Sequence, residues 1–193
     1  MTLQLIDAPR CPYCARVRIM LAEKGIDHEG IVIDLQDRPD WVYELNSSGR
    51  VPILVDDGWA LPESAVINEF LEDCNPDPAL LPGDVAERAE ARLRIFRCDK
   101  FTDPYYALRR SDPGAEEEFA AALEALDTTL AEIPFLTGLA FGLADIAYVP
   151  WVIRARDMLG VDLEPYEHLS AWLETLSERP SIAAEIDVVA SFV

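Results

Sequence analysis

A small α/β domain followed by an all-helical domain is the fold class this sequence predicts, and three observations carry it. Strand and helix signals alternate through residues 1–75, a Pro- and Gly-rich segment then interrupts them, and beyond it only helical apolar spacing recurs. With 193 residues, half of them hydrophobic, the chain is long enough to bury a core in each part.

The run LQLIDA reads as a strand, PYCARVRIMLAEKG as a helix and HEGIVIDL as a second β-branched run, which makes a βαβ opening. PDWVYELN suits a short helix. VPILVDD and WALPE are two apolar runs joined by Asp57-Gly58, a strong hairpin signal. SAVINEFLEDC reads as a helix with Ser64 as its cap, and Glu63 places negative charge near the positive end of the helix dipole. NPDPALLPGD carries three prolines and one glycine in ten residues, so we place a linker at 76–83. From residue 84 to 193, VAERAEARLRIFRCDKF, GAEEEFAAALEALDTTLAEI, LADIAYVPWVIRARDMLG and YEHLSAWLETLSERP all have helical spacing. Glu116 to Glu118 fit the solvated start of one of these helices.

A formal net charge of −20 repels phosphate backbones and anionic lipid, which argues against nucleic-acid and membrane partners. No apolar run reaches the ~20 residues of a membrane span, and MTLQLIDAPRCP lacks the basic start of a signal peptide, so the expected location is cytoplasmic. Four cysteines, Cys11, Cys14, Cys74 and Cys98, are too few for a disulfide scaffold at this length.

The pair Cys11-x-x-Cys14 admits three readings. Zinc needs four ligands, and no second Cys or His pair supplies them, so no metal is expected. Both cysteines could pack as small apolar residues. The third reading rests on Pro12, which suits the first position of a helix and leaves Cys11 at the cap. There the unpaired backbone N–H groups and the dipole favour thiolate, lowering a thiol from ~8.5 toward ~4–7. Arg10 and Arg16 are candidates to add to this. Cys14 lies about one turn inside the same helix, within reach of a mixed disulfide on Cys11. Cys11 is therefore the candidate nucleophile and Cys14 the candidate resolving thiol.

CPYC, followed by RVRIMLAEKGI, IDLQDRPDWVYELNSSGRVP, RVPILVDDGWALPESAVINEFL and PFLTGLAFGLADIAYVPW, resembles the glutathione transferase superfamily, most closely its cysteine-bearing omega-like members. The likeness covers nearly the whole chain. It implies a thioredoxin-like N-terminal domain, a C-terminal helical bundle, glutathione as cosubstrate and a homodimer. It also implies that Val51-Pro52 is the cis-proline turn, whose Val51 N–H and C=O pair with the cysteinyl backbone of glutathione like an added strand. Glu63-Ser64 matches the pair that holds the γ-glutamyl group, Ser64 and helix N–H groups taking its carboxylate and Glu63 facing its ammonium. Arg38 occupies the place of the basic residue that approaches the glycine carboxylate, with Arg10 and Arg50 as further local cations. Tyr105 and Tyr106, in KFTDPYYALRR, are assigned to the pocket for the second substrate, a small electrophile or disulfide.

Two positions depart from the family pattern. Gly142 stands where many members have a capping Ser or Thr, so a cap weaker by a few tenths of a kcal/mol is expected, with Asp145 reaching back to the Gly142 N–H. Cys14 stands where many omega-like members lack cysteine, whereas glutaredoxins with CPYC use two thiols. The activity the resemblance implies is glutathione-dependent thiol transfer through a mixed disulfide on Cys11, with dehydroascorbate reduction as a related activity. Two alternatives stand beside it: a large dithiol glutaredoxin, and an interaction protein like the stringent starvation proteins, which share the architecture and bind RNA polymerase.

Overall fold

The computed structural model describes residues 3–193. It divides into two compact units, the first ending at Pro78 and the second running from Ala79 to Val193, so the division falls inside the segment 76–83.

In the first unit, β1 (Gln4–Asp7), α1 (Pro12–Glu23) and β2 (Glu29–Val32) form the βαβ opening. The crossover through α1 makes β1 and β2 parallel, with Ile6 opposite Ile31. A short helix, α2 (Asp40–Leu45), leads into the antiparallel hairpin of β3 (Ile53–Asp56) and β4 (Trp59–Pro62). Its turn residues Asp57 and Gly58 have φ of 48° and 82°, positive values that match the twist of a two-residue hairpin and explain the choice of Asp-Gly. The sheet order is β2-β1-β3-β4, with β1 antiparallel to β3.

Leu5, Ile6, Ile53 and Leu54 are each at most 1% exposed. Neighbouring strand residues point to opposite faces, so β1 and β3 are covered on both sides. One side holds Ile6, Ala8, Cys14, Val42, Val51 and Ile53 in a single apolar cluster, while α1 packs against α3 (Ser64–Cys74). The Lys24 ammonium closes the far end of α3. It donates to the carbonyls of Asn75 at 2.6 Å and Pro78 at 2.5 Å and pairs with Glu72, which suits a cation at a helix C-terminus.

The second unit is helical. Asp84 caps α4 (Val85–Phe96), its Oδ1 accepting from Ala86 N and Glu87 N at 2.9 and 3.0 Å. The helical run expected through Phe101 is broken: Arg97 and Cys98 tighten into turns bonded to Arg94 O and Ile95 O, and α5 (Asp99–Arg109) starts afresh. Then follow α6 (Ala115–Glu132), α7 (Leu143–Leu159), α8 (Glu167–Ser177) and α9 (Pro180–Ala190). The sequence reading contained no α9. Pro180, at the end of the last helical run read from the sequence, is the first residue of a further helix, where its missing N–H costs nothing. Every residue of α7 from Leu143 to Ala155 is buried, so this helix is the core of the unit. Arg154 lies in that core paired with Glu185 on α9 at 2.8 Å, and it also donates to the Pro150 carbonyl at 3.0 Å.

The start of α7 differs from expectation in its physical means. Asp145 Oδ2 accepts the Gly142 N–H at 3.0 Å, as anticipated, but the missing hydroxyl is replaced from outside the helix: Thr137 Oγ1 accepts the Ala144 N–H at 3.0 Å. A side chain on Gly142 would collide with the Leu80 carbonyl oxygen and come within 2.8 Å of Thr137 Cγ2, so the glycine and Thr137 cap are one arrangement. Asp145 also accepts from Leu136 N and Trp172 Nε1, both at 2.8 Å, and from Thr137 N at 3.2 Å. Burial pushes its carboxyl up, opposed by these donors, Trp172 foremost. Among the described residues no helix is long and apolar enough to cross a membrane.

Candidate active site

Cys11 is the N-cap of α1, extended at φ −81° and ψ 118°, and Pro12 is the first helical residue. Its own N–H is taken by Ala8 O at 2.8 Å and its carbonyl by Ala15 N at 3.1 Å. No side chain caps the helix, so the first backbone N–H groups of α1 are left for a charge at that end. Cys11 is half-buried, and its Sγ lies 4.0 Å from the Val51 carbonyl oxygen.

Cys14 is different in kind. It is 0% exposed within the apolar cluster, and its thiol is pushed far up, first by burial and then by its hydrogen bond to Cys11 and the charges of Cys11 and Asp7. A group so placed holds its proton, and the only use of that proton toward Cys11 is donation.

The Val51-Pro52 peptide is cis. It forms part of the wall of a cleft of about 350 Å³ whose other lining residues are Tyr13, Asn46, Arg50, Glu63 and Ser64. The structure thus gathers four of the sequence-derived residues, Val51, Pro52, Glu63 and Ser64, at one cleft whose Val51 wall approaches Cys11. Arg38 is not among the lining residues, and its Nε is buried with no hydrogen-bond partner; Arg50 is the cation that lines the cleft.

The Glu63-Ser64 corner needs a correction. Ser64 is not the cap: it is the first residue of α3 and is 5% exposed, while Glu63 is the cap residue, with φ 73° and ψ 105°. A left-handed φ at a non-glycine residue costs on the order of 1–3 kcal/mol and concentrates at functional sites. No side chain caps α3 either, and its first intrahelical bond is Ile67 N to Glu63 O. Both helix N-termini in this unit that adjoin the cleft residues therefore present uncapped N–H groups.

One contributor, Asn46, escaped the sequence reading, and a second, Arg16, was named there for another contact. Asn46 builds the turn before the cis-proline: its Oδ1 accepts from Ser48 N and Ser48 Oγ at 3.3 and 3.0 Å, and its Nδ2 donates to Arg50 O at 2.9 Å. The Asn-Ser-Ser-Gly string is the signal that could have identified it. Arg16, named as a candidate to favour the Cys11 thiolate, is 6% exposed and donates to Ser64 Oγ at 3.3 Å, with its guanidinium 5.3 Å from the centre of the Tyr13 ring. An arginine flanked by Ala15 and Val17 on a buried helix was its only trace in the sequence.

The tyrosine pair separates. Tyr105 is 2% exposed, edge-on to Tyr106 at 5.3 Å and to Phe119 at 6.0 Å, and burial pushes its phenol up against the opposing charges of Arg109 and Arg154. It is a core residue of the helical unit, which corrects its assignment to a substrate pocket. Tyr106 is half-buried.

Residues 10–74 match the glutathione S-transferase N-terminal domain and residues 84–175 the C-terminal domain. The chain is 32% identical to a stringent starvation protein A homolog of Haemophilus influenzae, over 90% of this chain and 85% of that one. It is 30% identical to glutathione S-transferase omega-1 of Rattus norvegicus, over 88% and 74%. Glutathione transferase Omega 2C from Trametes versicolor superposes with a TM-score of 0.84 at 29% identity, covering 99% of this chain and 97% of that one. A thioredoxin-like unit followed by a helical unit, with both halves matched in order, makes this chain a member of the glutathione S-transferase family of enzymes.

Proposed function

We propose that this protein is a glutathione-dependent thiol transferase of the omega-like, cysteine-bearing kind, working through a mixed disulfide on Cys11. The observation that carries the reading is the placement of Cys11 at the uncapped N-terminus of α1, with its sulfur 4.0 Å from the Val51 carbonyl beside the cis-proline. Glutathione laid along Val51 would put its cysteinyl backbone against that strand edge. Its γ-glutamyl carboxylate would meet Ser64 and the α3 N-terminus, and its glycine carboxylate would meet Arg50 rather than Arg38.

The chemistry balances without another reductant. Cys11 thiolate attacks the glutathionyl sulfur of a glutathionylated substrate; a Cys11–glutathione disulfide forms, the substrate S–S bond breaks, and the substrate leaves as thiolate and takes up a proton. A second glutathione thiolate then attacks that adduct, releasing glutathione disulfide and regenerating Cys11 thiolate. Cys14, buried and protonated, does not attack in this cycle, which disfavours the dithiol glutaredoxin alternative. Dehydroascorbate reduction by the same thiolate, a cytoplasmic location and a homodimer complete the reading.

Cys11→Ser is expected to abolish disulfide exchange, and retention of full activity would refute the mechanism. After mild glutathione disulfide treatment, mass spectrometry should find the adduct in both the wild type and Cys14→Ala; an adduct only in the variant would restore Cys14 as a resolving thiol. The likeness to a stringent starvation protein A homolog favours one second reading, a binding protein without thiol chemistry. Failure to bind glutathione at millimolar concentration would select it.

A further inference from the structure

We propose that Arg16 is a positioning residue that turns the Ser64 hydroxyl proton away from itself and leaves it to donate, and so makes the Ser64 corner of the cleft favour a carboxylate. The inference rests on the glutathione reading and deepens it. A serine hydroxyl has one proton and two acceptor lone pairs, and which it shows to a ligand depends on what its other side meets. Arginine carries only donors and stays charged at every accessible pH, so the Arg16 Nη1 at 3.3 Å from Ser64 Oγ can meet only a lone pair. The Ser64 proton must then point away from Arg16, and Ser64 lines the cleft.

Three features hold the guanidinium in that duty. Arg16 is 6% exposed, so it cannot swing into solvent without repacking. Its own carbonyl accepts Asn68 Nδ2 from α3 at 3.3 Å, which ties the backbone of α1 to the helix that Ser64 begins. Tyr13, another residue of the cleft wall, offers its ring to the guanidinium at 5.3 Å. Uncapped N–H groups at the start of α3 add donors of the same sense. A carboxylate takes the Ser64 proton and the helix N–H groups together, whereas an ammonium or an amide N–H₂ placed on Ser64 would use only its remaining lone pair and leave the helix donors unmatched.

The test compares glutathione with γ-aminobutyryl-cysteinyl-glycine, which lacks only the γ-glutamyl α-carboxylate. Dissociation constants would be measured by calorimetry for the wild type, Arg16→Gln, Arg16→Lys, Ser64→Ala and the double variant Arg16→Gln/Ser64→Ala. Arg16→Gln is expected to weaken glutathione by about tenfold or more, the scale of a hydrogen bond to a charged group, and the carboxylate-free analogue by less than about twofold. In the Ser64→Ala background the same change should cost less than about threefold, because the hydroxyl through which Arg16 acts is gone. If Arg16→Gln does not fold, Arg16→Lys, which keeps a buried cation and donor, should still favour glutathione over the analogue, and Ser64→Ala should lose that preference. Equal losses for both ligands, or an undiminished Arg16 effect without Ser64, would overturn the inference while leaving the glutathione site intact. A wild type that binds neither ligand at millimolar concentration would overturn the functional reading and this inference together.

Discussion

Replacing Cys14 with alanine isolates the contribution of one buried proton to the reactivity of Cys11. Cys14 is 0% exposed, hydrogen-bonded to Cys11, and pushed far up by burial and by neighbouring negative charge, so it remains a thiol throughout the range in which Cys11 titrates. A donor to a charged acceptor is worth ~1.5–3 kcal/mol, and a thiol is a weak donor, so the lower end applies, about one pKa unit. The helix N-terminus supplies up to ~2 kcal/mol in a partly buried setting, a little over one unit, and the substitution leaves Pro12 and the backbone in place. Removing that donor is therefore expected to raise the Cys11 thiol by about one unit relative to the wild type. Nucleophilicity per thiolate falls with pKa at a slope of ~0.4–0.5, so the variant thiolate is roughly threefold more reactive. Alkylation by iodoacetamide, followed by mass spectrometry of the Cys11 peptide, should therefore cross over. Above both transitions the variant reacts about threefold faster; below both it reacts about threefold slower, because its thiolate fraction is then about tenfold smaller. Superposable pH–rate curves, or a Cys11 that titrates lower in the variant, would show that Cys14 does not stabilise the thiolate.

Gly142→Ala should destabilise the protein by about 2–3 kcal/mol, because its Cβ meets the Leu80 carbonyl and Thr137 Cγ2; calorimetry should show a melting temperature lower by roughly 5–10 °C. Arg154→Met leaves Glu185 buried without its cation and should cost about 3–5 kcal/mol in urea unfolding, whereas the double change with Glu185→Leu should recover most of it. Arg50→Gln should weaken glutathione by about tenfold and its glycyl monoethyl ester by less than about twofold; an equal loss for both would remove Arg50 from the glycine end of the site.

What the sequence made legible was local. Pro12 after Cys11 marks a helix start and Asp57-Gly58 marks a hairpin turn, each through constraints spanning two to four residues. The features missed depend on what lies across space. By residue type Ser64 is the better cap, and the positive φ of Glu63 that makes Glu63 the cap residue belongs to the join between β4 and α3. Arg38 and Arg50 have the same chemistry, and only the turn held by Asn46 brings Arg50 to the cleft. Thr137 caps a helix that begins six residues later, and Tyr105 is drawn into the helical core by Phe119. α9 was missed for a different reason: Pro180 is a local signal with two meanings, stop and first position.

On the proposed reading, a chain with net charge −20 admits an anionic tripeptide, which would separate long-range from short-range electrostatics. At physiological ionic strength charges are screened over about 8 Å, so most of the acidic surface is only weakly felt at any one point in a cleft. On that reading a bound carboxylate would meet Arg50 at one part of the wall, Ser64 backed by Arg16 at another, and the uncapped start of α3. Glu63 is the acid among the lining residues, and a γ-glutamyl group brings an ammonium for it as well as a carboxylate for Ser64. The arrangement therefore selects a zwitterionic end over a simple anion. The acidic exterior then opposes the approach of polyanions, whose many charges extend beyond the reach of these local cations, while a small thiol peptide is held almost entirely within it.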